Sequence, residues 1–306
     1  MLPPAAGASQ FIDVVQGRTP VELRVDRSGR AMLYYAKPSG TRHVLVGGAV
    51  NARSPNPSVR QVRFHVDYSG GWQSTHQALW KTFRSVCAPY DGPALPFLVA
   101  ACRAPNGSYW AVQEWRVDLP NLGFPPWTVR QRSLSLHVSH WNGPLAQLEV
   151  HTDWVYGHRF HEVFGRATYR GVPVHGFRST VDGAPLDGYG RLIYLDTLDS
   201  RYGTGWRREN AFLPHGPNGV FCHGFFRADT ASGGHVAPPG YRGRRGPGNG
   251  KSYRLTFMGP GVTPDVSVVV PGLHDYSGSA GDRAYEAAEN AVLDRLAAGG
   301  RWCHHH

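Results

Sequence analysis

The chain has 306 residues, of which 41% are hydrophobic and 18% charged, and its formal net charge is +10. Its 38 glycines, 24 prolines and 12% aromatic residues are typical of short strands joined by turns and argue against a helical bundle. No apolar run is long enough for a transmembrane helix, so we expect a soluble globular protein without a membrane span. Arginine dominates the basic residues; it favours bidentate contacts with carboxylate, sulfate or phosphate, although a GC-rich genome gives the same bias.

The N-terminal part of the chain shows the alternation of antiparallel strands. The strands predicted there are 21–25, 31–35, 43–46, 59–68 and 109–117. The segment 119–127, LPNLGFPPW, is the best candidate for a linker, but the composition does not change across it. We therefore predict one β-rich domain over residues 12–303, with 119–127 as the position of any internal boundary.

Four cysteines without a CxxC pair or a zinc-ligand spacing favour two disulfides in an exported, secreted protein. Three connectivities are possible, and we predict Cys87–Cys102 and Cys222–Cys303. The sequence LPPAAG after Met1 resembles the start of a mature chain from which a signal peptide has been removed. We interpret residues 304–306, three histidines, as the remnant of an affinity tag.

The stretch 133–169 has the clearest strand alternation and the densest set of ionisable side chains. We predict that strands 133–139 and 147–154 form a hairpin closed by the three-residue loop 141–143. In this register Ser135 faces Glu149.

A second hairpin follows at the turn 156–159, where Gly157 favours a two-residue type II′ turn. This turn places Glu162 opposite Asp153. One face of the three-stranded meander is then apolar. The other face carries His137, Glu149, His151, Asp153 and Glu162.

The C-terminal part adds the predicted strands 174–181, 191–198, 220–226, 252–258 and 266–270. The segments 199–219 and 228–250 are predicted to be irregular loops that wall the polar face. One helix is predicted over 282–298, with an apolar stripe of Tyr285, Ala288, Val292, Leu293 and Leu296. The predicted fold class is mostly β: an antiparallel β-sandwich of jelly-roll type with one C-terminal helix.

Paired carboxylates give the first candidate chemistry. Glu149 and Asp153 are about 13 Å apart along one strand, too far for a glycosidase pair. Asp153 and Glu162, opposite each other, could reach the distance of about 5 Å found in retaining glycosidases. Their repulsion would raise one pKa, as a catalytic acid requires. The alternative is a pair of solvated carboxylates on an open sheet.

Two further candidate sites involve histidine and aromatic residues. His137, Glu149 and His151 share a face and could bind a divalent metal; no other cofactor is expected. A polyanion lyase would use a histidine or tyrosine base with arginines that neutralise a uronate carboxylate, from the set His137, His151, Tyr189, Arg178 and Arg191. The candidate ligand-binding residues are Trp206, Arg207, Tyr189 and Arg191. The alternative is that the histidines and arginines are solvated surface residues and that the tyrosines and tryptophans belong to the core.

Several reaction classes lack their motifs. The chain contains no GxSxG, no P-loop and no GxGxxG after a strand. The basic residues are dispersed along the chain, so nucleic acid is not an expected partner.

The run from QLEVHTDWVYG at 147–157 to GWRREN at 205–210 resembles a group of exported bacterial proteins of GC-rich genomes to which no activity is assigned. The resemblance covers about residues 59–264 and implies export and a single fold unit, without a catalytic motif. We expect an exported protein that binds or processes an extracellular polymer, most plausibly a glycan. The alternatives are a glycoside hydrolase or polyanion lyase acting at 133–169, and a non-catalytic structural or envelope protein.

Overall fold

The computed structural model describes residues 9–17, 19–51, 53, 58–60, 62–116, 133–174, 193–200, 203–211, 218–225, 249–259, 262–298 and 303. The fold is mostly β, with several antiparallel sheets and a C-terminal helix, as the sequence predicts. The jelly-roll strand order stays a prediction. So does the single domain, because 119–127 lies outside the described residues. The predicted tag at 304–306 also lies outside them.

In chain order, the strands within the described part of the chain are β1 Gln10–Gln16, β2 Val21–Val25, β3 Ala31–Lys37, β4 Gly40–Gly48, β5 Phe64–Asp67, β6 Ala88–Pro89, β7 Leu98–Arg103, β8 Tyr109–Arg116, β9 Ser133–Trp141, β10 Gln147–Val155, β11 Phe160–Tyr169, β12 Val172–Pro173, β13 Ile193–Ser200, β14 Gly203–Ala211, β15 Val220–Gly224, β16 Ser252–Phe257 and β17 Val266–Pro271. The helices in the same part of the chain are α1 Trp72–Thr75, α2 Leu79–Thr82 and α3 Ala280–Ala297. None of these helices is long and apolar enough to cross a membrane.

Strands β1–β9 form the first half of the molecule. Sheet 1 has the strand order β1-β9-β8-β7-β6, and sheet 2 has the order β2-β3-β4-β5. The two sheets share one apolar core, to which Val15, Trp110 and Leu136 contribute from sheet 1 and Leu33 and Val46 from sheet 2. The predicted disulfide Cys87–Cys102 is present at the edge of this core.

Strands β10–β17 and helix α3 form the second half. Sheet 3 has the order β10-β11-β12, with β15 also paired to β11, and sheet 4 has the order β14-β13-β16-β17. Val163 and Phe221 of sheet 3 share a core with Leu195 and Tyr253 of sheet 4. Helix α3 packs on the other face of sheet 3, and the predicted disulfide Cys222–Cys303 joins β15 to the chain beyond that helix.

The predicted hairpin between β9 and β10 is wrong. β9 pairs with β1 and β8 in sheet 1, and β10 pairs with β11 in sheet 3, so Ser135 does not face Glu149. Both faces of β9 are buried: Leu136 faces the core between sheets 1 and 2, while Ser139 on the other face is also fully buried. Alternation of polar and apolar residues therefore marks two different buried surfaces here, rather than one buried and one solvated face.

The second predicted hairpin is confirmed in its register. Asp153 is the partner of Glu162, and Thr152 is the partner of Val163. The turn differs from type II′, because φ is positive at Tyr156, Gly157 and His158, whereas a type II′ turn has positive φ only at its first central residue.

The predicted loop 199–219 is wrong over part of its length. Gly203–Ala211 forms β14, which pairs with β13 and, among the described strands, lies at the edge of sheet 4. Charged residues such as Arg207 hide its strand character in the sequence, and such residues are common on edge strands. The other predicted loop, 228–250, lies outside the described residues except for its last two positions.

The C-terminal helix is confirmed, beginning two residues earlier and ending one residue earlier than predicted. The Ser279 side chain accepts a hydrogen bond from the Asp282 backbone N–H and caps the first turn. Of the predicted apolar stripe, Leu293 and Leu296 are buried, whereas Tyr285 is 36% exposed. Ala288, also assigned to the stripe, is exposed.

Candidate functional site

The predicted site residues lie in two separate places. His137 is on β9 in the first half, whereas Glu149, His151 and Asp153 are on β10 and Glu162 is on β11 in the second half. The fold therefore brings Asp153 and Glu162 together but does not bring His137 to Glu149 and His151.

The predicted ligand-binding residues are only partly described. Trp206 lies on β14, at the edge of sheet 4. Tyr189, Arg191 and the side chain of Arg207 lie outside the described residues.

His137 belongs to a buried polar contact between the two halves. Its Nδ1 is 3.3 Å from the Ser9 hydroxyl, and its Nε2 is 3.0 Å from the Ser135 hydroxyl. The ring stacks on Trp115 with centroids 5.3 Å apart, and the residue is only 6% exposed. Both ring nitrogens are thus engaged inside the protein, away from the β10 carboxylates.

Asp265 completes this contact from the second half. Its carboxylate accepts a 2.9 Å hydrogen bond from the Ser9 hydroxyl and one from the Gly259 N–H. Its backbone exchanges two 3.0 Å hydrogen bonds with the Gln113 side-chain amide. Complete burial raises the pKa of Asp265 to about 7, although these hydrogen bonds act in the opposite direction. The network therefore holds the halves together in one orientation.

The predicted metal site is not assembled. His137 is in sheet 1, whereas Glu149 and His151 are in sheet 3. Within the described part of the chain, no group of three or more histidine, cysteine, aspartate or glutamate residues is placed to hold a metal ion.

Asp153 and Glu162 form a buried carboxyl pair. Asp153 is 4% exposed and Glu162 is 8% exposed. Burial and, to a smaller extent, the charge of Asp153 raise the pKa of Glu162 to about 7. The sequence predicts an upward shift in one member of this pair.

Gly165 allows the two strands that carry this pair to pack against β15. A Cβ atom added at Gly165 would lie 1.9 Å from the Glu149 carbonyl oxygen and 2.9 Å from the Phe221 ring. No side chain fits there, so a glycine is required for β10, β11 and Phe221 to pack as they do.

Helix α3 covers the polar face of β10 and β11, whereas most of the predicted loop 228–250 and part of the predicted loop 199–219 lie outside the described residues. The Tyr285 hydroxyl donates a 2.9 Å hydrogen bond to the Thr152 carbonyl oxygen. Burial raises the pKa of Tyr285, and the charges of Glu289 and Asp153 also raise it. The carboxyl pair is therefore enclosed on the side of this helix.

His151 links β10 to the same helix. Its Nδ1 is 3.0 Å from a Glu289 carboxylate oxygen, and its Nε2 is 3.2 Å from the Glu149 carboxylate. Arg295 of α3 lies 3.4 Å from the same Glu149 oxygen. Glu149 and His151 therefore attach the helix to the sheet.

A cleft of about 600 Å³ lies at the junction of the two halves. This volume is in the range of small-molecule binding sites. The cleft is lined by Thr19, Pro20, Phe97, Leu98, Val99, Glu114, Trp115 and Leu134 from the first half and by Trp206 and Arg254 from the second half. The predicted ligand-binding residue Trp206 is therefore at a site where a ligand could enter.

Arg254 organises one wall of the cleft. Its guanidinium carbon lies 4.5 Å from the centre of the Trp206 ring and 4.9 Å from that of Phe97. Its Nε and Nη2 both donate to one oxygen of Asp196, at 3.0 and 2.7 Å. Cation–π contacts and a paired guanidinium together fix the positions of both rings.

The sequence did not indicate Arg254, Phe97 or Glu114 as site residues. They come from β16, from the segment before β7 and from β8, and only the contact between the halves brings them together. No local pattern could have grouped these three, whereas the sequence predicts Trp206 as a ligand-binding residue.

No family model, curated protein or solved structure matches this chain. The resemblance to exported bacterial proteins therefore stays a prediction.

Proposed function

We propose that the protein is exported and binds an extracellular glycan, and that the cleft between the halves holds one or two sugar units of the polymer. The observation that carries this proposal is the wall formed by Trp206, Arg254 and Phe97 beside Glu114 in a cleft of about 600 Å³.

The chemistry of the cleft suits a sugar ring. The C–H face of a pyranose packs on aromatic side chains, while its hydroxyl groups need donors and acceptors around the rim. Phe97, Trp115 and Trp206 supply aromatic surface, and Thr19 and Glu114 supply polar atoms. Among the described residues that line the cleft, Arg254 is the only cation, and it is already paired with Asp196, so we expect neutral sugars to bind better than uronates.

The two disulfides support the proposed location outside the cell. Disulfides persist in oxidising compartments, and among the described cysteines none is free. Export and the glycan partner both remain parts of the proposal.

Binding to a glycan array of neutral and uronate-containing oligosaccharides, followed by calorimetry with the sugars selected, tests the proposal. Trp206→Ala is expected to weaken binding about tenfold or more, because buried tryptophans often dominate binding energy.

Tyr156→Ala is the matched control, because Tyr156 is an aromatic residue 45% exposed in the β10–β11 turn, outside the cleft. It should bind as the unmodified protein does. Equal binding by Trp206→Ala and the unmodified protein, or no binding to any glycan, would contradict the proposed function.

A second candidate function is glycoside hydrolysis by the Asp153–Glu162 pair. The observation that favours it is the raised pKa of Glu162, at about 7, beside the Asp153 carboxylate. Reducing-sugar release from the glycans selected on the array, lost in both Glu162→Gln and Asp153→Asn, would support hydrolysis. Binding without release would leave a non-catalytic binding protein.

A further inference from the structure

A second hollow, of about 530 Å³, lies on the outer face of sheet 2, in the first half. It is lined by Arg30, Leu45, Gly47, Gly48, His65, Val66, Asp67, Gln73, Ser74 and Thr75. Leu45 and Gly47 provide apolar surface from β4, and Gln73, Ser74 and Thr75 belong to α1. None of these residues takes part in the cleft or in the carboxyl pair.

No contact within the described part of the chain requires a glycine at position 47. Gly47 pairs with His65 in the ladder between β4 and β5, and its φ is not positive. A Cβ atom at this position would meet only Cγ of Arg30, at 3.6 Å, which is an ordinary contact. A glycine in a strand lowers stability by about 0.5–1 kcal/mol relative to alanine, so a glycine where a side chain would fit indicates that something else approaches the backbone.

The helical wall of the hollow is held rigidly. The Asp67 carboxylate accepts hydrogen bonds from the backbone and hydroxyl groups of Ser69 and from those of Ser74, the latter two at 3.1 and 2.8 Å. These bonds fix α1 over the end of β5 before any ligand binds. A site whose wall is already ordered loses less entropy on binding.

The charges around the hollow favour a neutral ligand. The Arg30 guanidinium is paired with the Asp26 carboxylate at 2.8 Å, and Asp67 supplies a second negative charge. An anion would therefore meet no uncompensated cation. The Gln73 amide, His65 imidazole and Arg30 guanidinium surround an apolar floor, and a pyranose likewise has an apolar face and a hydroxyl rim.

We propose that the hollow over Gly47 is a second saccharide-binding site for neutral sugar units. The inference rests on the proposed glycan binding and adds a second point of contact with the polymer. Two sites on one chain would increase the apparent affinity for a long polymer over that for a disaccharide, because the second contact is intramolecular.

The probes are the methyl glycosides of glucose, galactose and mannose, with cellobiose, titrated into ¹⁵N-labelled protein. The backbone amide signals of Gly48 and Thr75 report the hollow, and the indole N–H of Trp206 reports the cleft. Dose-dependent shifts at Gly48 and Thr75 with at least one probe are expected. No shift there with any probe, or shifts with inorganic sulfate instead, would overturn the second site whatever Trp206 shows.

Gly47→Leu should fill the hollow and weaken the response at Gly48 and Thr75 by about tenfold or more while leaving the Trp206 response unchanged. If that variant does not fold, Gly47→Ala tests the same site, since its Cβ has room. Gly281→Ala in α3, where a Cβ also meets nothing closer than 3.7 Å, is the matched control and should bind normally. If Gly47→Leu lost the response to the probe both at Gly48 and Thr75 and at Trp206, the inference of an independent second site would be overturned. Unchanged shifts at Gly48 and Thr75 in Trp206→Ala would show that the hollow binds the probe independently of the cleft.

Discussion

Replacing Cys222 and Cys303 together by alanine is expected to lower the free energy of unfolding by about 4.5 kcal/mol, from the entropy of closing a loop of this length. The two cysteines are separated by 81 positions, and their disulfide holds the chain beyond α3 on sheet 3. Urea unfolding of the oxidised protein and of the variant, followed by circular dichroism, measures the difference.

The matched control is the double replacement of Cys87 and Cys102, which are separated by only 15 positions. The same relation gives about 3 kcal/mol for this shorter loop. The test is which double replacement lowers the free energy of unfolding more, rather than the size of either decrease. A larger loss from the short loop than from the long loop would show that chain entropy does not set these contributions.

Glu162→Gln is expected to stabilise the protein at pH 8 by up to about 3 kcal/mol and to have little effect near pH 4, given 1.36 kcal/mol for each unit of pKa. The pKa of Glu162 is about 7 in the folded protein and near 4.5 when unfolded. The folded state therefore binds more protons between these values. Its stability falls as the pH rises from about 4.5 through 7, because a buried carboxylate must then form beside Asp153.

The difference in unfolding free energy between the variant and the unmodified protein, measured from pH 4 to pH 8, isolates this group. It removes the contributions of Asp265, whose raised pKa has the same sign, and of His140, whose pKa burial lowers to about 4. Glu22→Gln is the control, because the Glu22 side chain is 56% exposed. A pH-independent difference for Glu162→Gln would mean that the pKa of Glu162 is the same in the folded and unfolded states.

Local patterns were sufficient for the elements whose partners are near in sequence. The turn at 156–159 fixes the register of β10 and β11, and so the Asp153–Glu162 pair follows from the sequence alone. Helix α3 follows from the spacing of its apolar residues, although the Ser279 cap starts it two residues before the predicted position. In both cases the interactions that decide the structure lie within about 20 residues.

Patterns failed where the partner is distant. β9 and β10 follow each other in the chain and have compatible alternation, yet β9 pairs with β1 and β8. There the His137 imidazole of β9 contacts the buried Ser9 hydroxyl, which in turn donates a hydrogen bond to Asp265. The cleft has the same origin, since Glu114 and Arg254 come from strands in different halves. Hydropathy reports whether a side chain is buried, but not which surface buries it.

The position of β9 also governs the order in which the chain can fold. β9 lies between β1 and β8, and Gln10 of β1 pairs with Val138. During synthesis β1 leaves the ribosome long before β9 has been made. The backbone N–H and C=O groups of β1 that bind β9 therefore have to wait until residue 141 has emerged. Contacts of such long range slow folding and leave strand edges available to other chains in the meantime. Sheet 1 is thus complete only when its last strand, β9, is available. An export pathway that keeps the chain unfolded until synthesis ends would remove the period in which β1 waits for β9.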